Sequence, residues 1–263
     1  MTYRREITNR LAFMEQQMPR WVAGAAILAA LVLWELISRS GLISQLYLPA
    51  PTVILSTGWD MIISGELPDN GQASLSRIIL GFLLGSTLGI LVGLATGFSK
   101  LAEAIGIPLI YAVYPVPKIA LLPLIILWLG IGELSKVTII SLGVFFPVVI
   151  NTYSGVKNVD PLLIKVAISF KATRLSLIVK VILPAALPAI FAGLKMAAGT
   201  SLLLLVAAEM IAAKEGIGAL ILRYGDLMLT TKLMVGVLTL SLLGVIFSCL
   251  LEWIERRIIT WKN

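Results

Sequence analysis

The sequence predicts an all-α polytopic membrane protein, six transmembrane helices in one domain over residues 1–263, with a basic amphipathic loop on the cytoplasmic side. Three observations carry this. Hydrophobic residues make up 59% of the chain and charged residues only 13%, against roughly one-quarter charged in soluble domains. Long uncharged stretches recur, each able to cross ~30 Å of hydrocarbon as a helix. No segment alternates with the two-residue period of a membrane barrel strand.

The spans are expected near 21–40, 76–98, 104–131, 136–156, 186–212 and 232–253. Arg4, Arg5, Arg10 and Arg20 precede the first apolar run, which continues through Glu35-Leu36-Ile37 without a small-residue cleavage site. A retained span is therefore expected, not a signal peptide. Residues 1–45 then form an N-terminal cytoplasmic segment plus this span. Glu35 and Arg39, at i and i+4, are placed to pair. Six crossings put both termini on one side. The segments that would face inward hold 13 Lys and Arg, and those facing outward hold six. That asymmetry predicts a cytoplasmic N- and C-terminus.

Between the first two spans, 41–75 reads as an outer connection. Leu48-Pro49-Ala50-Pro51 breaks the chain, and Thr52 is expected to cap a short interfacial helix reaching about Ser64. In the second span Gly81, Gly85, Gly89, Gly93 and Gly97 recur every four residues. One helix face is nearly bare backbone, which lets another helix approach closely, within the bundle or across a dimer.

The third span carries Tyr114-Pro115-Val116-Pro117-Lys118. Proline breaks helix regularity, and irregular backbone at membrane depth is tolerated against protein or a water-filled cavity. Lys118 is a candidate cation lining an anion's path, with snorkelling to the inner surface as its alternative. Pro115, Pro117, Lys118 and Glu209 form the candidate translocation path. Glu209, near the outer end of the fifth span, is also a candidate for pairing with a neighbouring base.

Residues 157–184 are the most informative stretch. Lys157, Lys165, Lys171, Arg174 and Lys180 face one acid, Asp160, between two apolar runs. Asp160-Pro161 is a helix start, a capping carboxylate followed by proline at the first helical position. Leu175, Ile178, Val179 and Ile182 recur at helical spacing. Two amphipathic helices on the inner face are read as a docking surface, with an amphipathic helix resting on anionic lipid headgroups as the alternative.

This loop resembles that of the membrane subunits of binding-protein-dependent ATP-binding-cassette importers. Their pattern is E-A-A, three residues, G, nine residues, I, any residue, L-P. Here the frame falls on Lys165-Val166-Ala167, Lys171, Val181, Leu183 and Pro184. Lys165 stands at the family glutamate and Lys171 at the family glycine, which sits at the turn between the two helices. Residues 115–136, 183–195 and the run EMIAAKEGIG from Glu209 to Gly218 are also similar to this family, closest to its nitrate, sulfonate, taurine and bicarbonate branch.

The resemblance implies an importer core over 46–263. It assigns ATPase coupling to Lys165, Ala167, Lys171, Ala172, Arg174, Leu175, Leu183 and Pro184 in the loop 157–184. It implies a second permease copy, two cytoplasmic ATPase subunits carrying ATP and Mg, and an extracytoplasmic solute-binding protein. The transport cycle would be alternating access in a bacterial inner membrane, with a small anion such as nitrate, sulfonate, taurine or bicarbonate as the implied cargo.

The chain has no histidine and one cysteine, Cys249. This removes His-based catalysis, His or Cys metal clusters and intrachain disulfides. No Gly-rich loop ends in Gly-Lys-Ser/Thr, so energy must come from another chain or an ion gradient. No cofactor is expected on this chain, and no enzyme activity. The net charge of +7 reflects topology, not nucleic-acid binding. A secondary transporter is the alternative, but it would usually need repeats and intramembrane acids.

Overall fold

The computed structural model describes residues 20–262, and every regular element among them is helical. Helix α1 (Arg20–Arg39) is followed by α2 (Pro51–Ile63) and α3 (Glu66–Phe98). Then come α4 (Lys100–Val113), a 3-10 turn (Lys118–Leu121), α5 (Leu122–Leu129) and α6 (Glu133–Lys157). Two short helices, α7 (Pro161–Ser169) and α8 (Arg174–Leu177), lead through a π turn (Ile178–Ile182) into α9 (Leu183–Ala212). Helices α10 (Ile217–Asp226) and α11 (Thr230–Ile258) complete the bundle, with a last 3-10 turn at Thr260–Lys262. The basic residues Arg4, Arg5 and Arg10 lie outside the described residues.

Among the described residues, four helical runs are long and apolar enough to cross a membrane: α3, α6, the continuous run Arg174–Ala212, and α11. A fifth results if α4 and Lys118–Leu129 count as one crossing. That pair corrects the expectation of a single helix over 104–131, because the chain turns by 88° within it. Pro115 and Pro117 remove two backbone donors. The remaining groups close tight turns instead, Val116 N–H to the Val113 carbonyl at 3.1 Å and Ala120 N–H to Pro117 at 3.0 Å.

The expected Thr52 cap is also corrected. The N-cap of α2 is Ala50, with Pro51 in the first turn and no side-chain cap of its own. The cap comes from α1. Glu35 accepts from the Thr52 backbone N–H at 3.1 Å and from the Thr52 hydroxyl at 2.7 Å. The expected Glu35–Arg39 pair forms beside it, so one carboxylate meets both a cation and a helix N-terminus.

Helix α6 is the centre of the fold. Some 61% of its apolar window is buried, against 11% for α11 at the periphery. The glycine stripe of α3 lies against α6 of the same chain. A Cβ at Gly85 would sit 2.4 Å from the Ser141 carbonyl oxygen, and one at Gly93 would sit 2.5 Å from the Thr152 Cβ. The two backbones therefore touch, as small residues at this spacing permit. On its other side α6 meets α9, where a Cβ at Gly193 would sit 2.7 Å from Asn151. Ile140, Val144, Val148, Ala197 and Leu205 fill the resulting core. Phe82 and Phe247, edge to face at 4.8 Å, attach α11 to α3.

Candidate functional site

Three clusters of chemistry sit on this frame: an exposed elbow at α7–α8, the bend at Lys118, and a buried group of ions at the opposite end of α9.

The elbow begins as expected. Asp160 caps α7, its carboxylate accepting from the Leu162 N–H at 2.8 Å, and Pro161 follows in the first turn. The turn closes on Lys171, whose φ is +54°. The Ala172 N–H reaches the Ala167 carbonyl at 3.1 Å and the Lys171 N–H reaches Ile168 at 2.8 Å. These two bonds make a Schellman ending, with Lys171 in the left-handed position that glycine usually takes. Lysine holds this turn at a backbone cost of roughly 1–2 kcal/mol. Thr173 caps the next helix, accepting from the Ser176 N–H at 3.3 Å.

Beyond α8 the helix widens into the π turn. Pro184 explains this: it has no N–H for the Lys180 carbonyl, and its ring would strike that oxygen in a regular α-helix. Lys165, Lys171, Arg174 and Leu175 are exposed; Ala167, Ala172, Leu183 and Pro184 are half-buried. The elbow presents apolar anchors among cations. Leu175 is 72% and Phe170 83% exposed.

Replacing Lys171 by glycine is expected to relieve the left-handed strain. Amide exchange across residues 167–172 should slow several-fold, corresponding to about 1 kcal/mol. Faster exchange would contradict this account of the turn.

At the bend, Lys118 is half-buried. Its ammonium stands 4.9 Å from the Tyr114 ring centre and 4.8 Å from that of Phe146. It also donates to the Tyr114 carbonyl. Pro115 and Pro117 set this geometry by ending α4.

Glu209 is elsewhere. Its side chain is fully buried, with 0% exposure. It accepts from Arg77 Nη1 at 2.7 Å, from the Ser74 hydroxyl at 2.8 Å and from the Gly218 N–H at 2.8 Å. Arg77, itself 4% exposed, binds Glu133 through two nitrogens at 2.6 and 2.8 Å. Lys136 completes the group at 2.9 Å from Glu133. Glu209 thus meets a neighbouring base, Arg77, as one of its two expected roles requires.

The cluster joins α3, α6, α9 and the start of α10. Asn70 accepts from the Gly216 N–H at 2.8 Å, and Ser74 from the Ile217 N–H at 2.9 Å. Gly216, at φ +125°, must be glycine: a Cβ there would lie 2.4 Å from the Glu209 carboxyl carbon. Arg77, Glu133 and Lys136 were not singled out from the sequence. Each looked like an ordinary boundary charge, and no local pattern relates Arg77 to Glu209, 132 positions away.

A bundle of long apolar helices with an exposed basic elbow is the architecture of a polytopic membrane protein. The sequence profile described as "Binding-protein-dependent transport system inner membrane component" matches residues 85–260. The putative aliphatic sulfonates transport permease protein SsuC of Bacillus subtilis is 38% identical, over 92% of this chain and 88% of its own. The taurine transport system permease protein TauC of Escherichia coli is 35% identical, over 89% and 86%. An inward-facing structure of the MetNI methionine ABC transporter shares the fold, with a TM-score of 0.59 at 20% identity, over 71% of this chain and 93% of that one.

The chain belongs to the family of binding-protein-dependent transport system inner membrane components. It is a multi-pass inner-membrane permease subunit of an ATP-binding-cassette importer, driven by a separate ATPase.

Proposed function

We propose that this permease carries a small sulfonate-like anion inward, two copies forming the path and a solute-binding protein delivering the cargo from outside. The solute class rests on the aliphatic-sulfonate and taurine relatives. The observation that carries the reading in this chain is Lys118, a half-buried cation held between two aromatic rings where the helix bends. Two cytoplasmic ATPase subunits, with ATP and Mg, dock on the elbow through Lys165, Ala167, Lys171, Ala172, Arg174 and Leu175, and Leu183 and Pro184 carry the thrust onward. Six crossings, with α1 and the bent pair each counted as one, leave both termini and the elbow in the cytoplasm. The five glycines of α3 fix the membrane core so that each copy rocks as a unit. Family membership favours this over a secondary transporter.

Lys118→Gln removes the charge and keeps most of the side chain's length. Uptake of a labelled alkanesulfonate by reconstituted complex is expected to fall about ten- to a hundredfold, as loss of one partly desolvated ion contact implies. ATPase binding should be unchanged. Parental uptake by this variant would reject Lys118 as part of the anion's path.

A further inference from the structure

The C-terminal turn stays against the protein. Ile259 is 4% exposed, and Trp261 lines a groove of about 430 Å3 together with Leu163, Val166 and Ala167 of α7 and Val181 of the π turn. Among the described residues of that lining, Lys180 is the one that carries a charge. The Trp261 side chain is nevertheless 55% exposed. Trp253, two turns earlier, has Arg257 over its ring at 5.4 Å, the aromatic–basic pairing of a membrane boundary. Trp261 lies beyond that boundary, on the face where Lys165, Lys171 and Arg174 are exposed. An apolar concavity on a charged, water-facing end marks an interaction site. It shares Ala167 with the elbow, so it is continuous with the surface assigned above to the ATPase.

We propose that this groove receives an apolar side chain of the ATPase subunit, flanked by a carboxylate that meets Lys180. Docking is then reciprocal: the convex elbow enters the ATPase, and a side chain of the ATPase enters the permease beside Trp261. The aromatic wall and the lone cation set the chemistry of that partner residue. This inference rests on the elbow being the docking site.

The experiment uses the full complex in nanodiscs. Ala185, an exposed residue of the groove lining, is changed to Phe to fill the space without touching the elbow tip. ATPase retention is expected to fall at least about tenfold, as a blocked hot-spot pocket implies. In a Cys249→Ser background, Lys180→Cys should react with a water-soluble maleimide in the permease alone and be protected once the ATPase binds. Labelling decides the matter alone if Ala185→Phe fails to fold. If Lys180→Cys stays reactive in the complex while Arg174→Glu releases the ATPase, the groove is not a docking site although the elbow is. If Arg174→Glu also retains the ATPase, both assignments fall. Protection that is already present without the ATPase indicates a lipid in the groove and overturns the inference.

Discussion

Arg174→Glu is expected to abolish transport, with uptake falling at least about a hundredfold, while the permease inserts and folds as before. Arg174 opens α8 directly after the Thr173 cap. A glutamate there suits the helix N-terminus better than arginine does, so the local fold is not put at risk. Its exposure means that no internal partner is lost. What changes is the sign of charge offered to the ATPase. Like charges brought together across an interface cost several kcal/mol, and each 1.4 kcal/mol is tenfold. Ala167→Asp should act in the same way from α7. Loss of uptake together with loss of ATPase co-purification supports the docking surface; parental uptake in either variant removes it.

The second large effect lies in the buried ions. Arg77→Ala leaves Glu209 charged, fully buried and without its cation. Removing one partner of a buried pair costs about 3–5 kcal/mol, a large part of the ~5–15 kcal/mol that holds a typical domain together. The variant should accumulate poorly and lose its monodisperse elution in detergent. Glu209→Gln should be milder, because an amide oxygen still accepts from Gly218 and Ser74 and Arg77 keeps Glu133. Arg77→Met combined with Glu209→Gln should lose less than the sum of the single changes, since neither charge is then stranded. Additive losses would mean that the two residues do not act as a pair.

Much of this was legible in the sequence, for definite reasons. The four span cores in α3, α6, α9 and α11 follow from hydropathy, and the start of α7 from Asp160-Pro161. The glycine stripe announced a close helix contact, but spacing alone left open which helix; only the fold assigns it to α6. The bend at residues 114–121 was half visible: its prolines predicted irregular backbone, while an 88° turn depends on how α5 packs. Thr52 failed as a cap because a residue in α1, 17 positions earlier, supplies the carboxylate. The ion cluster was least legible. Arg77 and Glu209 are 132 positions apart, and no local pattern relates residues at that separation. Read singly, Arg77 and Lys136 looked like ordinary boundary charges.

One continuous helical run connects Arg174 to Ala212. From Arg174 to Glu209 it measures ~52 Å at 1.5 Å per residue, longer than the hydrocarbon is thick. The elbow and the ionic anchor are therefore the two ends of a single lever arm. The π turn at its foot and Pro188 within α9 interrupt its regular hydrogen bonding, and on the docking proposed above a push from the ATPase would reach the far lip of the bilayer along this one run. A softer foot would let the motor idle, spending ATP while the cargo stays outside.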